Sequence, residues 1–200
     1  MRLAIMVGAK GRGSNMQAIL RACKSGRLDA ECGVVIAPRE DVPAVSIARE
    51  MGAEVAVISP DESHYAEALL DILELERVDL LCLAGLTRLL PVEVVRAMPG
   101  RILNIHPALL PKHGGKGMYG LRVHQAVLDA GDKVSGCTVH YVTEEYDEGD
   151  ILLQMTCPVK EDDTAETLAA RVLELEHECY VKAIQMWIAH RYGIGRNASL

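Results

Sequence analysis

Two hundred residues, 50% of them apolar and 24% charged, supply enough chain to bury one sizeable core. The formal charge of −7 argues against nucleic acid or an anionic membrane as the main partner, since both select basic surfaces, while a small anion is allowed wherever positive charge is local. Six dispersed cysteines with no CxxC pair speak against structural zinc or a disulfide framework, and the apolar start Met1–Ile5 is too short for a signal peptide or a membrane span. A cytoplasmic protein is expected. With no Phe and one Trp, its core must be aliphatic, with Met and Cys filling gaps.

Leu3–Val7 is a continuous apolar run, the pattern of a strand buried on both faces. A glycine loop, Gly8–Gly13, follows, and Ser14-Asn15 opens a helical pattern with Ile19, Leu20 and Cys23 inward. Cys32–Ala37 reads as a second strand, Val42–Met51 as an amphipathic helix and Glu54–Ile58 as a third strand. Ser59-Pro60-Asp61 carries an N-cap signature for a helix reaching about Leu75. Leu80–Leu83 is a fourth buried strand, and a short helix spans about Val92–Met98. Arg101–His106 then forms a short strand that Pro107 and Pro111 stop. A glycine-rich loop, 112–120, leads to a helix over Val123–Ala130. Val134–Thr143 alternates, with Cys137, Val139 and Tyr141 on one side and Thr138, His140 and Val142 on the other. An acidic connection joins it to a strand over Ile151–Cys157. The last element is a long helix from Thr164 to about His190, capped by Asp163 or Thr164, and the tail from Tyr192 reads as frayed. Strand–helix alternation with short connections predicts an α/β fold: a mostly parallel central sheet with helices on both faces, a C-terminal antiparallel strand pair and a long final helix. One domain over 1–200 is expected.

Parallel sheets place ligands at the carboxyl ends of their strands. Three features meet there: the first glycine loop, Leu86-Thr87-Arg88, and the pair Asn104 and His106. The last two are two residues apart, so an amide donor and a proton-moving imidazole point to the same side of the strand. That arrangement suits chemistry on a carbonyl. Gly11-Arg12-Gly13-Ser14-Asn15 enters a helix, where free amides and the helix dipole favour an anion. Met16 stands where the dinucleotide fingerprint needs a glycine, no acidic residue closes the second strand, and no Gly-Lys-Ser/Thr follows. A monophosphate fits better than a nicotinamide cofactor. Arg88 suits either a surface salt bridge or an anion clamp. A carboxylate beside His106 would raise its pKa, but local pattern does not choose among Glu144, Glu145, Asp147, Glu148 and Asp150. His113, His124, His140 and His177 lack metal-ligand spacing, Cys137 reads as core, and helical periodicity alone leaves Glu176 facing solvent.

Asn104-Ile105-His106-Pro107-Ala108-Leu109-Leu110-Pro111, Gly136-Cys137-Thr138-Val139-His140 and Tyr146-Asp147-Glu148-Gly149 resemble the folate-dependent formyltransferases, in the branch acting on glycinamide ribonucleotide. The likeness runs from Gly11 to His177. It implies a Rossmann-like formyltransferase fold and direct formyl transfer from 10-formyltetrahydrofolate, with no metal. By matching position, His106 would be the general acid, Asn104 would polarise the formyl oxygen, and Asp147 would hold His106 charged. Gly13, Ser14 and Asn15 would hold the ribonucleotide phosphate, Glu176 would contact the same substrate, and Thr87, Arg88, Leu89 and Leu90 would line the folate pocket together with Asn104. This chain departs from the family pattern at Lys10, where a serine is usual, in a phosphate loop about two residues longer, and at Ala108. An arginine that often contacts folate has no counterpart in Asp61-Glu62-Ser63-His64. The implied partners are small molecules, with no nucleic acid and no membrane, for a monomer or homodimer. A formyltetrahydrofolate hydrolase would share the Asn/His/Asp set but usually carries an extra N-terminal domain, whereas this sequence starts at the first strand. A transfer-RNA formylating enzyme would need a further C-terminal domain. A nucleotide- or folate-binding sensor would need no proton-moving histidine.

Overall fold

A computed structural model describes residues 1–193. In chain order the elements are β1 (Arg2–Val7), α1 (Ser14–Lys24), β2 (Glu31–Ala37), α2 (Pro43–Glu50), β3 (Val55–Val57), α3 (Tyr65–Leu75), β4 (Leu80–Ala84), α4 (Val92–Ala97), β5 (Ile102–His106), α5 (Leu121–Asp129), β6 (Val134–Tyr141), β7 (Ile151–Pro158) and α6 (Ala165–Tyr192). The strands form one seven-stranded sheet in the order β3-β2-β1-β4-β5-β6-β7. The first five are parallel; β6 runs antiparallel to β5, and β7 antiparallel to β6.

Period-two alternation divides the core into two layers. Leu3, Ile5 and Val7 of β1 and Leu80, Cys82 and Ala84 of β4 pack with α1, α2 and α6 on one face. Ala4 and Met6, with Leu81 and Leu83, pack with Leu69 and Leu73 of α3 and Val94 of α4 on the other. Both faces of the sheet are therefore covered, which is why its strands read as unbroken apolar runs. On β5, Leu103 and Ile105 belong to the α6 face, so Asn104 and His106 share the opposite side with Ile102.

The final helix fixes the strand that carries this pair. The Tyr180 hydroxyl, fully buried, donates in a bifurcated arrangement to the carbonyls of Leu83 and Leu103, at 2.9 and 2.8 Å. Trp187 Nε1 donates to the Gly100 carbonyl, 2.9 Å away, just before β5. At its start, α6 is closed by a reciprocal capping box between Thr164 and Thr167, and Asp163 makes a bidentate pair with Arg171 at 2.7 and 2.8 Å.

Three expected boundaries differ. α3 begins at Tyr65, not beside Ser59-Pro60-Asp61. The cap signature there closes an isolated turn instead, with Ser59 Oγ accepting from the Asp61 amide at 3.3 Å, and a second turn from Glu62 to Tyr65 precedes the helix. β3 is cut to three residues, Val55–Val57. α6 runs two residues past His190 to Tyr192, where Gly193 in the left-handed region ends it, so Tyr192 is helical rather than frayed. The rest of the expected tail lies outside the described residues.

Candidate active site

β5 and β6 build the centre of the site by their pairing. Antiparallel register sets Asn104 opposite His140 and His106 opposite Thr138. Asn104 Nδ2 lies 3.2 Å from His140 Nε2. His140 Nδ1 faces the Tyr141 carbonyl at 2.9 Å, and a carbonyl can only accept, so the neutral ring carries its proton on Nδ1 and leaves Nε2 as an acceptor. Asn104 therefore donates one amide hydrogen to His140 and keeps the second free. His140 is a member of this cluster that sequence reasoning missed. Its alternation with Thr138, which brings it beside Asn104 once β6 pairs with β5, is the available signal.

The acidic connection between β6 and β7 supplies the carboxylate. Asp147 Oδ2 lies 3.5 Å from His106 Nδ1, and Asp147 Oδ1 lies 3.5 Å from His140 Nε2. The other acidic residues of the connection do not approach the histidines: Glu144, for example, pairs with Arg96 at 2.8 Å on the surface. Asp147 has φ +57°, a left-handed conformation rare for a side-chain-bearing residue. Gly149 makes this turn possible, because a Cβ there would sit 1.7 Å from the Tyr141 carbonyl oxygen. Asp147 also accepts a 2.9 Å hydrogen bond from the Gly115 amide, tying the two loops together.

Below the site, Thr138 and Gln154 anchor the segment that follows β5. The Thr138 hydroxyl donates to the Ala108 carbonyl at 2.6 Å and accepts from the Leu110 amide at 3.0 Å. Gln154 Nε2 donates to the Leu110 carbonyl and to Thr138 Oγ1, both at 2.9 Å. The chain leaving His106 is thus held by strands it does not belong to.

Electrostatics around His106 differ from the expectation. Burial lowers its pKa, and that effect outweighs the upward pull of Asp147, so the ring sits below its ordinary value of 6.5. Burial pushes the Asp147 carboxyl up, but the neighbouring His140 and His106 rings and the Gly115 amide together hold it below its ordinary value. The free protein at neutral pH therefore pairs a neutral His106 with an ionised Asp147.

On the other face of the sheet, Asn15 Nδ2 donates to Glu176 Oε2 at 2.6 Å. Glu176 is buried, not solvent-facing, and desolvation raises its pKa to about 7. Asn15 Oδ1 has no hydrogen-bond partner among the described residues. Gly13 caps α1 at φ +74° with no side chain hydrogen-bonded to the first-turn amides, and a Cβ there would press on Ala44 and Met16 at 3.0 Å. The α1 N-terminus is thus left open beside Ser14 and Asn15. The structure joins Asn15 to Glu176 and keeps Gly13 and Ser14 adjacent.

The segment after β4 divides. Thr87 and Arg88 line a cavity of about 290 Å³ with Met6, Pro38, Ser59 and Tyr65 among others. Arg88 Nη2 lies 3.6 Å from Asp61 Oδ1, both well exposed, so its surface ion-pair reading holds in this state. Leu89 and Leu90 do not line that cavity; Leu90 packs in the apolar layer with Val94 and Met98. A second cleft of about 660 Å³ opens against Asp147, between Leu110, Gly114, Tyr146 and Ile151. Among the described residues no group of three His, Cys, Asp or Glu side chains is placed to hold a metal ion.

The formyl transferase family model matches residues 1–184. The chain belongs to the formyl transferase family. Within the family it is 43% identical over 188 residues to the chloroplastic phosphoribosylglycinamide formyltransferase of Arabidopsis thaliana, covering 92% of this chain and 64% of the relative. The chain therefore spans somewhat less than two thirds of that plant relative's length. Glycinamide ribonucleotide transformylase 1 from Symbiobacterium toebii superposes with a TM-score of 0.87 at 40% identity, over 96% of this chain and 89% of that one. A formyltetrahydrofolate deformylase from Pseudomonas syringae pv. tomato has the same fold, with a TM-score of 0.83 over 96% of this chain and 61% of that one, at 22% identity. Formyl transferase architecture thus accounts for the mostly parallel sheet, the antiparallel pair and the long final helix.

Proposed function

We propose that this formyl transferase moves the formyl group of 10-formyltetrahydrofolate to the amino group of glycinamide ribonucleotide, a step of purine biosynthesis. The observation that carries the reading is the meeting of Asn104, His106, His140 and Asp147 at the carboxyl end of β5. It is supported by the names of the relatives in Arabidopsis and Symbiobacterium.

The chemistry follows from the donors present. Attack of the amine nitrogen on the formyl carbon forms a C–N bond and puts negative charge on the formyl oxygen. The free amide hydrogen of Asn104 is the donor for that charge, and a preorganised donor of this kind contributes about 3–4 kcal/mol. Collapse breaks the bond from the formyl carbon to N10 of the folate. One proton leaves the amine and one reaches N10, so a single shuttling group balances the step. His106 is that group: neutral at the start because it is buried, it takes the amine's proton, and Asp147 stabilises the imidazolium until N10 receives it. The acid role expected for His106 is thereby preceded by a base role.

For the ribonucleotide, Gly13, Ser14 and Asn15 offer the open N-terminus of α1 to the phosphate, and Glu176 contacts the same substrate. For the folate, Thr87 and Arg88 line one wall, with Leu89 and Leu90 following in the same segment, and Asn104 stands at the reacting end. Leu90 serves by shaping that wall from the core rather than by exposing its side chain. Six free cysteines fit a reducing compartment such as the cytoplasm. No described helix is long and apolar enough to cross a membrane. The test is turnover of 10-formyltetrahydrofolate with and without glycinamide ribonucleotide. Dependence on the amine is expected, and equal turnover without it would make water the acceptor.

A further inference from the structure

The glycine-rich loop after β5 contains a residue whose side chain is far from idle. His113 adopts φ +55°, one of three non-glycine residues with positive φ among those described. Its imidazole Nε2 lies 2.8 Å from Asp132 Oδ2, and the other Asp132 oxygen takes Lys112 Nζ at 3.0 Å. Asp132 sits between α5 and β6, so this clamp fixes the loop to the body of the protein. In the clamped conformation the His113 carbonyl points at the proton-shuttling ring, 2.8 Å from His106 Nε2.

A carbonyl oxygen has no proton to give, so His106 Nε2 must be the protonated nitrogen. Nδ1 is then the nitrogen that gains and loses a proton, and it faces Asp147. We propose that His113 and Asp132 are positioning residues whose hydrogen-bonded clamp selects the Nε2–H tautomer of His106 and so directs its exchangeable proton to Nδ1. Neither side chain touches the reacting groups; both act through the His113 carbonyl. Other titratable groups around His106 are Asp147 and His140 on the sheet side and His124 on α5, and none of them hydrogen-bonds Nε2 among the described residues. The clamp lies beside a cavity of about 290 Å³ lined by Leu109, Val127, Lys133 and Ser135, and neither His113 nor Asp132 is a member of the two apolar layers.

The inference rests on the formyl-transfer reading for its purpose, but its first readout needs no substrate. Nitrogen-15 spectra of histidine-labelled protein distinguish the two tautomers, with the His106 signals assigned by their loss in His106→Gln. Wild type is expected to show Nε2–H alone in the neutral ring. Asp132→Ala is expected to give a mixture of tautomers and about a tenfold lower kcat with KM for both substrates kept. Asp132→Asn, which preserves an acceptor for His113, is expected to restore both. His113→Ala is the second disrupting variant should Asp132→Ala lose its cooperative melt. A wild-type Nδ1–H tautomer, or an unchanged Nε2–H tautomer in a folded disrupting variant, overturns the proposal. If the tautomer follows Asp132 but no formyl transfer is found, the clamp stands and the functional reading falls.

Discussion

At the scale of single residues, the site is a contest between burial and charge. His106 loses more from desolvation than it gains from Asp147, so the acid limb of kcat/KM, which reports free enzyme, is expected below pH 6.5. Asp147→Asn removes the largest upward pull and is expected to move that limb lower still while cutting kcat; a limb that rises would contradict the pairing. His106→Gln is expected to lose about 10²–10⁴-fold in turnover while keeping a cooperative melt. Glu176 works in the opposite sense. Its native pKa of about 7 lies above the ordinary 4.5, so the native state holds its proton more tightly and stability is lost as pH rises through that window. Glu176→Gln is therefore expected to melt higher at pH 8, by an amount on the order of 3 kcal/mol, and to match wild type below pH 4. An equal melt at pH 8 would contradict the burial cost. Asn104 and His106 were legible in the sequence because a two-residue period and two prolines are local facts. His140 was not, since it depends on cross-strand register, and Asp147 was legible only through the family resemblance, since its reach depends on a left-handed turn.

At the scale of elements, the connection between β6 and β7 is where local geometry becomes chemistry. Asp147 reaches His106 only because Gly149 lets the chain pass against the Tyr141 carbonyl. Gly149→Ala is expected to destabilise the fold by more than about 2 kcal/mol and to lower turnover in whatever fraction folds, measured by denaturant melts and rates side by side. A variant as stable and active as wild type would show that the turn has slack. Apolar strands buried on both faces announced themselves as runs, which is why β1, β2, β4 and β5 were readable to within a residue or so. The start of α3 was not readable, because Ser59-Pro60-Asp61 satisfies its amide in a turn that never propagates into a helix.

At the scale of the whole molecule, the two halves of the proposed reaction lie on different faces of one sheet. Asn15 and Glu176 belong to the α1–α6 side, Asn104 and His106 to the other, and both open toward the carboxyl ends of the strands. Glu176→Gln is accordingly expected to raise KM for the ribonucleotide and leave KM for the folate unchanged; equal rises in both would contradict that separation. Strand–helix alternation announced the parallel sheet, and the acidic connection announced the antiparallel pair. The two-faced site was not written in any local pattern, because it depends on a helix near the C-terminus meeting a loop near the N-terminus. The central claim is direct transfer between two small molecules, and one label decides it. With 10-formyltetrahydrofolate carrying carbon-13 in its formyl group, the carbon signal is expected to appear as the formamide of glycinamide ribonucleotide. Appearance of the label as free formate, with the ribonucleotide unchanged, would contradict the account.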